Sequence, residues 1–352
     1  MHMADALLSP VVSGCLTVAA ATTATFAYKK ISRNIEDTKI PLMGVMGAFV
    51  FAAQMINFSI PGTGSSGHIG GGILLAILLG PYAGILTISA VLLIQALFFG
   101  DGGLMALGAN IFNMGFFTCF IAYPLIYKPL INRWQSKFAK QLITVFAVVI
   151  GLQMGAFSVV LETLLSGKTE LPFTSFVLLM QPIHLAIGIV EGLITAAVLA
   201  FVANDRPELL RGTKQQHSSP SKTVLVAMLM LTLITGGALS LYASSHPDGL
   251  EWSIEKVTGQ GALESEDSSI FGFFATVQEK TAILPDYDFK TAEDGNVNKI
   301  RIDGEVSGTI TSGTAVSGTS LSGTSLSGIV GSVMTLLLIV GVTAFIRKTK
   351  KA

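Results

Sequence analysis

The chain has 352 residues, 51% hydrophobic and only 12% charged, with zero formal net charge and a mean hydropathy of +0.65. Soluble domains carry about 25% charged residues, so the composition excludes an ordinary soluble enzyme and implies a polytopic membrane protein. Zero net charge without a basic cluster argues against a nucleic-acid partner, and two cysteines in apolar runs, Cys15 and Cys119, argue against a disulfide framework or a thiolate metal centre.

The chain opens on Met1-His2. A free amine, the His2 peptide nitrogen and the His2 imidazole can close a five-membered and a six-membered chelate ring in one plane. A further nitrogen, from His68, would complete a square, which suits Ni(II) and Cu(II) and less strictly Co(II). No basic residue precedes the first apolar run, so the start does not read as a cleaved signal peptide. The bulk of His2 is expected to keep Met1 in place.

Ser9-Pro10 is a helix start, and the first span covers 10–28, ending in a basic loop with Lys29, Lys30 and Arg33. A second span covers 41–58. Within it Ala48 and Ala52 sit one turn apart, a small face onto which another helix can close. Residues 59–72 are glycine-rich and contain Pro61, so they read as a non-helical ligand loop presenting His68. Gly67 and Gly70–Gly72 would let its backbone approach the terminus.

The stretch 70–99 is interrupted at Gly80-Pro81. The basic segments 29–39, 128–140, 206–222 and Arg347–Lys351 fall on the cytoplasmic side only if this stretch crosses twice. Two short spans, 70–80 and 82–99, are therefore predicted. Spans at 105–126, 142–165 and 175–202 complete seven, with the amino terminus extracytoplasmic and Asn204 inside. An eighth at 223–243 and a ninth at 329–346 flank a polar, acidic, extracytoplasmic segment, 244–327. There the Ser-Gly-Thr repeat from Ser307 to Gly328 reads as a flexible linker, and the apolar cluster Ile270–Phe274 as part of a small lid within 252–306. The expected fold class is an all-α polytopic membrane protein: a seven-helix substrate-binding bundle over 1–204, a cytoplasmic linker over 205–222, and a two-helix part over 223–352.

Polar residues inside spans are the next candidates. His184 and Glu191 share a helix face. They read either as a second metal site or proton relay, or, preferentially, as an inward-facing pair that holds helices together. Gln54, Asn57, Gln95, Asn110 and Asn113 either orient His68 and the terminus or bond helix to helix; both readings stay open. Asp101, in a Gly-Asp-Gly-Gly turn, reads as a turn residue. The sequence has no phosphate-cradling Gly-Lys-Ser/Thr word, no Cys-x-x-Cys and no nucleophile–His–Asp word. A membrane-embedded enzyme using His184, Glu191 and Asp101, and a passive channel, are the competing readings.

Several words occur together in order: Met1 to Pro10, Ala53 to Phe58, the His68 segment running into Leu79-Gly80-Pro81, Gln95 to Gly103, and Leu107 to Gly115. They resemble the CbiM/NikM family, the metal-binding membrane (S) component of nickel/cobalt energy-coupling-factor transporters. Ser245 to Glu251 resembles the PDGLE segment of the small NikN-like partner, here in the same chain. The likeness covers 1–260 and the last helix, and departs at Ala6, where the family usually has Gly. The resemblance implies that Met1, His2 and His68 bind Ni2+ or Co2+ as transported substrate, with no nucleotide bound by this chain. Separate ATPase subunits and a transmembrane scaffold (T) subunit would supply the energy, with Ala48 and Ala52 docking a partner subunit. The fused part would assist loading or opening. The implied place is the cell membrane, multi-pass, with the carboxyl terminus cytoplasmic. Nickel is preferred; a cobalt importer feeding cobalamin synthesis is the alternative.

Overall fold

The architecture is that of a computed structural model, which describes residues 2–34, 39–205, 222–260, 263, 269–289 and 323–351. Met1, most of the 205–222 linker and repeat residues 307–322 lie outside them. Among the described residues, seven helices are long and apolar enough to cross a membrane. They are α1 (Pro10–Asn34), α4 (Pro81–Phe99), α5 (Leu107–Arg133), α6 (Lys137–Leu165), α7 (Phe173–Asp205), α8 (Lys222–Tyr242) and α11 (Gly323–Lys351).

Two of the expected spans are shorter, α2 (Lys39–Gln54) and α3 (Gly72–Leu79). At 1.5 Å per residue, α3 reaches only about 12 Å, under half of a hydrocarbon core of about 30 Å. The interruption lies at Gly80-Pro81: Gly80 adopts φ 87°, open to glycine, and Pro81 begins α4. Gly84 lies against the Ala76 backbone, so α4 turns back along α3.

Between α2 and α3 the chain forms a small hairpin. Strand β1 (Phe58–Ile60) pairs antiparallel with β2 (Ser65–Gly67), Phe58 opposite Gly67. His68 follows β2 directly, so the ligand loop has a defined frame. The core beneath is closely packed, with Phe51, Phe99 and Phe176 fully buried. Gly188 and Gly192 bring α7 against the backbone of α6 at Val149 and Val145.

Two expectations change, one within the second part and one where it meets the first. Gly323–Gly328, read as linker, forms the opening turns of α11. Small residues that loosen a solvated chain also let two backbones touch: Gly328 lies against Gly236 of α8, and the Ser240 and Ser325 hydroxyls are 3.1 Å apart. Ser332 Oγ donates to the Ala48 carbonyl at 3.0 Å, and Gly236 packs on Ala52. Ala48 and Ala52 are thus covered by the chain's own α8 and α11, at 1% and 0% exposure, and leave no open face for a separate subunit.

The segment after α8 is helical too, with α9 (Gly249–Thr258) and α10 (Ser269–Thr281). Gln278 of α10 donates from Nε2 to the carbonyls of Ala96 (3.0 Å) and Gly102 (2.7 Å). The Ile283 N–H donates to Phe98 O at 2.9 Å. These bonds lay the second part across the end of α4.

Candidate metal site

The site begins with a clamp on the chain start. Asn110 of α5 accepts from the Met3 N–H at 2.7 Å and donates back to Met3 O at 3.2 Å. Gly103 N–H also donates to Met3 O, at 3.0 Å, and Asp5 accepts from the Ala106 N–H at 2.9 Å. Met3 is fully buried, and Asn113 donates to its Sδ at 3.6 Å and to Glu162 at 2.9 Å. Asn110 and Asn113 therefore hold the segment that carries His2.

The His68 loop is held from below. Gly70 and Gly71 donate their N–H groups to the two carboxylate oxygens of Glu191, at 2.7 and 2.9 Å. Gln54 Nε2 donates to Gly70 O at 2.9 Å, and Gln95 Nε2 donates to Gln54 Oε1 at 2.8 Å. Glu191 is a loop anchor by this geometry, with both oxygens engaged.

These frames bring the two imidazoles together. The His2 and His68 rings stack with centroids 5.1 Å apart and planes at 20°. His68 Nδ1 lies 3.1 Å from Ile69 O, which leaves Nε2 for a ligand. His2 Nδ1 lies 3.5 Å from Asp101 Oδ1. His2 Nε2 and Gln95 Oε1 are both buried without a hydrogen-bond partner. Burial holds His2 down to about 3 and His68 down to about 4, so both rings are neutral at neutral pH. Burial raises the Asp101 carboxyl, which accepts from the Tyr287 hydroxyl.

The second part covers these rings. Ser66 donates its N–H to Pro247 O at 2.8 Å and its hydroxyl to His246 O at 2.7 Å. Trp252 Nε1 donates to Thr63 O at 3.0 Å. Asn57 O accepts from the Ser244 N–H at 2.7 Å, so the Asn57 main chain receives the second part, while its side-chain Oδ1 is buried without a hydrogen-bond partner. Asp248 caps α9 by accepting from the N–H groups of Leu250 (2.9 Å) and Glu251 (2.8 Å). Burial works against the Asp248 anion, but surrounding positive charge and the Glu251 N–H outweigh it and hold the carboxyl below the usual range. A cavity of about 690 Å³ reaches His2, with Asp5, Asp101, Asp248, Glu251 and Asp286 in its walls.

Sequence reasoning missed Asp248, Glu251, Tyr287 and Glu162 here, and read Asp101 as a turn residue or, in the competing enzyme reading, as a reactive group, not as a neighbour of His2. Asp248-Gly-Leu-Glu251 is a readable capping-box word, but it signals a helix start and not a neighbour. Tyr287 meets Asp101 across 186 positions, which no local pattern announces. Among the described residues no three His, Cys, Asp or Glu side chains gather closely enough to hold an ion. Main-chain and terminal nitrogens would have to join His2 and His68.

Residues 2–209 match the family model of CbiM, the cobalt uptake substrate-specific transmembrane region, and residues 222–348 match the PDGLE domain. A putative metal transport protein of Haloquadratum walsbyi is 37% identical over 60% of this chain and 93% of its own length. A putative fused nickel transport protein NikMN of Archaeoglobus fulgidus is 34% identical over 70% of this chain and 80% of its own. The fused nickel transport protein NikMN of Rhodobacter capsulatus is 30% identical over 82% of this chain and 88% of its own. A solved structure of a transition metal transporter aligns with TM-score 0.53 at 31% identity, over 59% of this chain and 95% of the other.

Proposed function

The chain belongs to the CbiM family, with a PDGLE domain fused behind it, and from that membership we propose that it captures divalent nickel for an ATP-driven energy-coupling-factor importer. The chain is a multi-pass membrane protein and a component of metal transport; relatives named as transport proteins point away from an enzyme. The stacked His2 and His68 rings, the first buried and the second half-buried, carry the reading.

The ion, as substrate, would take the Met1 amine, the His2 peptide nitrogen, His2 Nδ1 and His68 Nε2. His2 Nδ1 now faces Asp101 and would exchange that contact for the ion. Once Nδ1 is bound, Nε2 carries the proton, and Gln95 Oε1 is a bare acceptor beside the ring. A metal-bound imidazole commonly gives its other N–H to such a group. Gln54 holds Gln95, so both act on the ligand through one chain of hydrogen bonds. The acidic cavity is the approach for a cation, since carboxylate walls concentrate positive charge. Separate ATPase and scaffold subunits would supply the energy. The amino terminus faces outside in this reading, and the PDGLE part governs loading, being bonded directly to the His68 loop.

Cobalt is the alternative cargo, because relatives named cobalt transport proteins share the family, among them that of Sorangium cellulosum at 33% identity. The deciding experiment is calorimetry with nickel and cobalt on the native chain and on a chain with one extra residue before Met1. The extra residue moves the amine out of chelate register. Tight binding by the native chain and weak binding by the extended one is expected; equal binding by both overturns the amino-terminal site.

A further inference from the structure

His184 of α7 is 1% exposed and has no part in the site described above. Its Nδ1 lies 2.8 Å from Met180 O, one turn earlier on the same helix. That carbonyl can only accept, so Nδ1 carries the proton and Nε2 the lone pair. Nε2 is buried and has no hydrogen-bond partner. A bare buried acceptor is unfavourable, whereas an imidazole with one nitrogen tied to a carbonyl and the other free is the arrangement of a metal-ligating histidine.

The ring borders a second, much smaller cavity of about 10 Å³, walled by His68, His184, Asp248, Met114, Leu152 and Ile187. It has room for about one water-sized body, so it suits an ion stripped of its shell. Gly249 of the PDGLE part closes over the His184 ring, where a Cβ would stand 3.2 Å from Cε1. His68 thus has two neighbours: the His2 ring stacked on it and the His184 cavity.

We infer that His68 and His184 form an inner, transient position for the transported divalent ion, reached from the amino-terminal chelate by exchange of ligands about His68. The inference rests on the capture role proposed above and names a second site in the same path. Two imidazoles, with the Met114 thioether in the wall, bind more weakly than a planar four-nitrogen chelate. A position that must hand the ion on requires such weakness.

The test uses the full chain and Cu(II), whose pulsed EPR spectrum counts bound imidazoles. In the chain extended before Met1, residual Cu(II) is expected to show two imidazoles, and His184→Gln to remove one or abolish binding. In the native chain, His184→Gln should leave nickel affinity within about twofold while slowing uptake tenfold or more. Should His184→Gln melt early, His184→Met fills the cavity and restores a soft donor; uptake then recovers in part. An extended chain with fewer than two imidazoles, a spectrum indifferent to His184→Gln, or unchanged uptake overturns the inner position while leaving the amino-terminal site intact. Equal tight binding by native and extended chains removes the amino-terminal site instead.

Discussion

Glu191 and His184 sit on one face of the same helix, both almost completely buried, and they differ in a single respect. Both Glu191 oxygens are engaged by backbone N–H groups of the His68 loop. His184 is satisfied at Nδ1 and bare at Nε2. A buried polar group with every partner in place is scaffold, because removing it strands its partners. One with a partner missing is a place where something else can bind. The same division runs through the rest of the site.

The largest effect is expected where satisfaction is complete. Glu191→Ala strands two buried N–H groups, at about 1–3 kcal/mol each, and should both lower the melting temperature in detergent and abolish tight metal binding. Glu191→Gln keeps one acceptor but turns an NH2 toward the other N–H, so it should fall between the two. A melting curve for Glu191→Ala that overlays the parent would break the comparison. His68→Ala comes next: its Nε2 is open, so the fold should survive while nickel affinity falls about 100-fold or more. Unchanged affinity would take His68 out of the site. Gln95→Ala sharpens the comparison, since Gln95 is satisfied at Nε2 and bare at Oε1. A loss of about 10-fold in affinity with a normal melt is expected, and calorimetry without any change would leave Gln95 a purely structural group. Smallest is Asp248→Ala, which removes the cap of α9 at a cost of about 1 kcal/mol. Hydrogen exchange should quicken over Gly249–Thr258 and stay slow over α7; protection unchanged in α9 would count against the cap.

Some of this was legible in the residues themselves. Gly80-Pro81 interrupts the third apolar run because one residue tolerates positive φ and the other cannot continue a helix. Glycines around His68 denied the loop a helix and left it free to enter the bundle. His184 and Glu191 stood out through the rarity of such groups in spans, but the sequence could not say which would be satisfied. Small residues were the least legible. Ala48 and Ala52 announce that a helix can approach, not which one, and the partner proved to be the chain's own α8 and α11. The serine–glycine repeat has the composition of a linker, yet from Gly323 onward it is a packing face. Asp101 and Tyr287 are linked only through tertiary structure.

The contact of Gly236 with Ala52, and of Ser332 with Ala48, has a further consequence. Two helices of the second part meet the first through backbone-close surfaces that do not depend on a covalent connection between residues 205 and 222. Coexpressed as separate polypeptides, the two parts should find each other and copurify. What the single chain adds is dosage: one cover is made for each bundle, at an effective concentration set by a short tether.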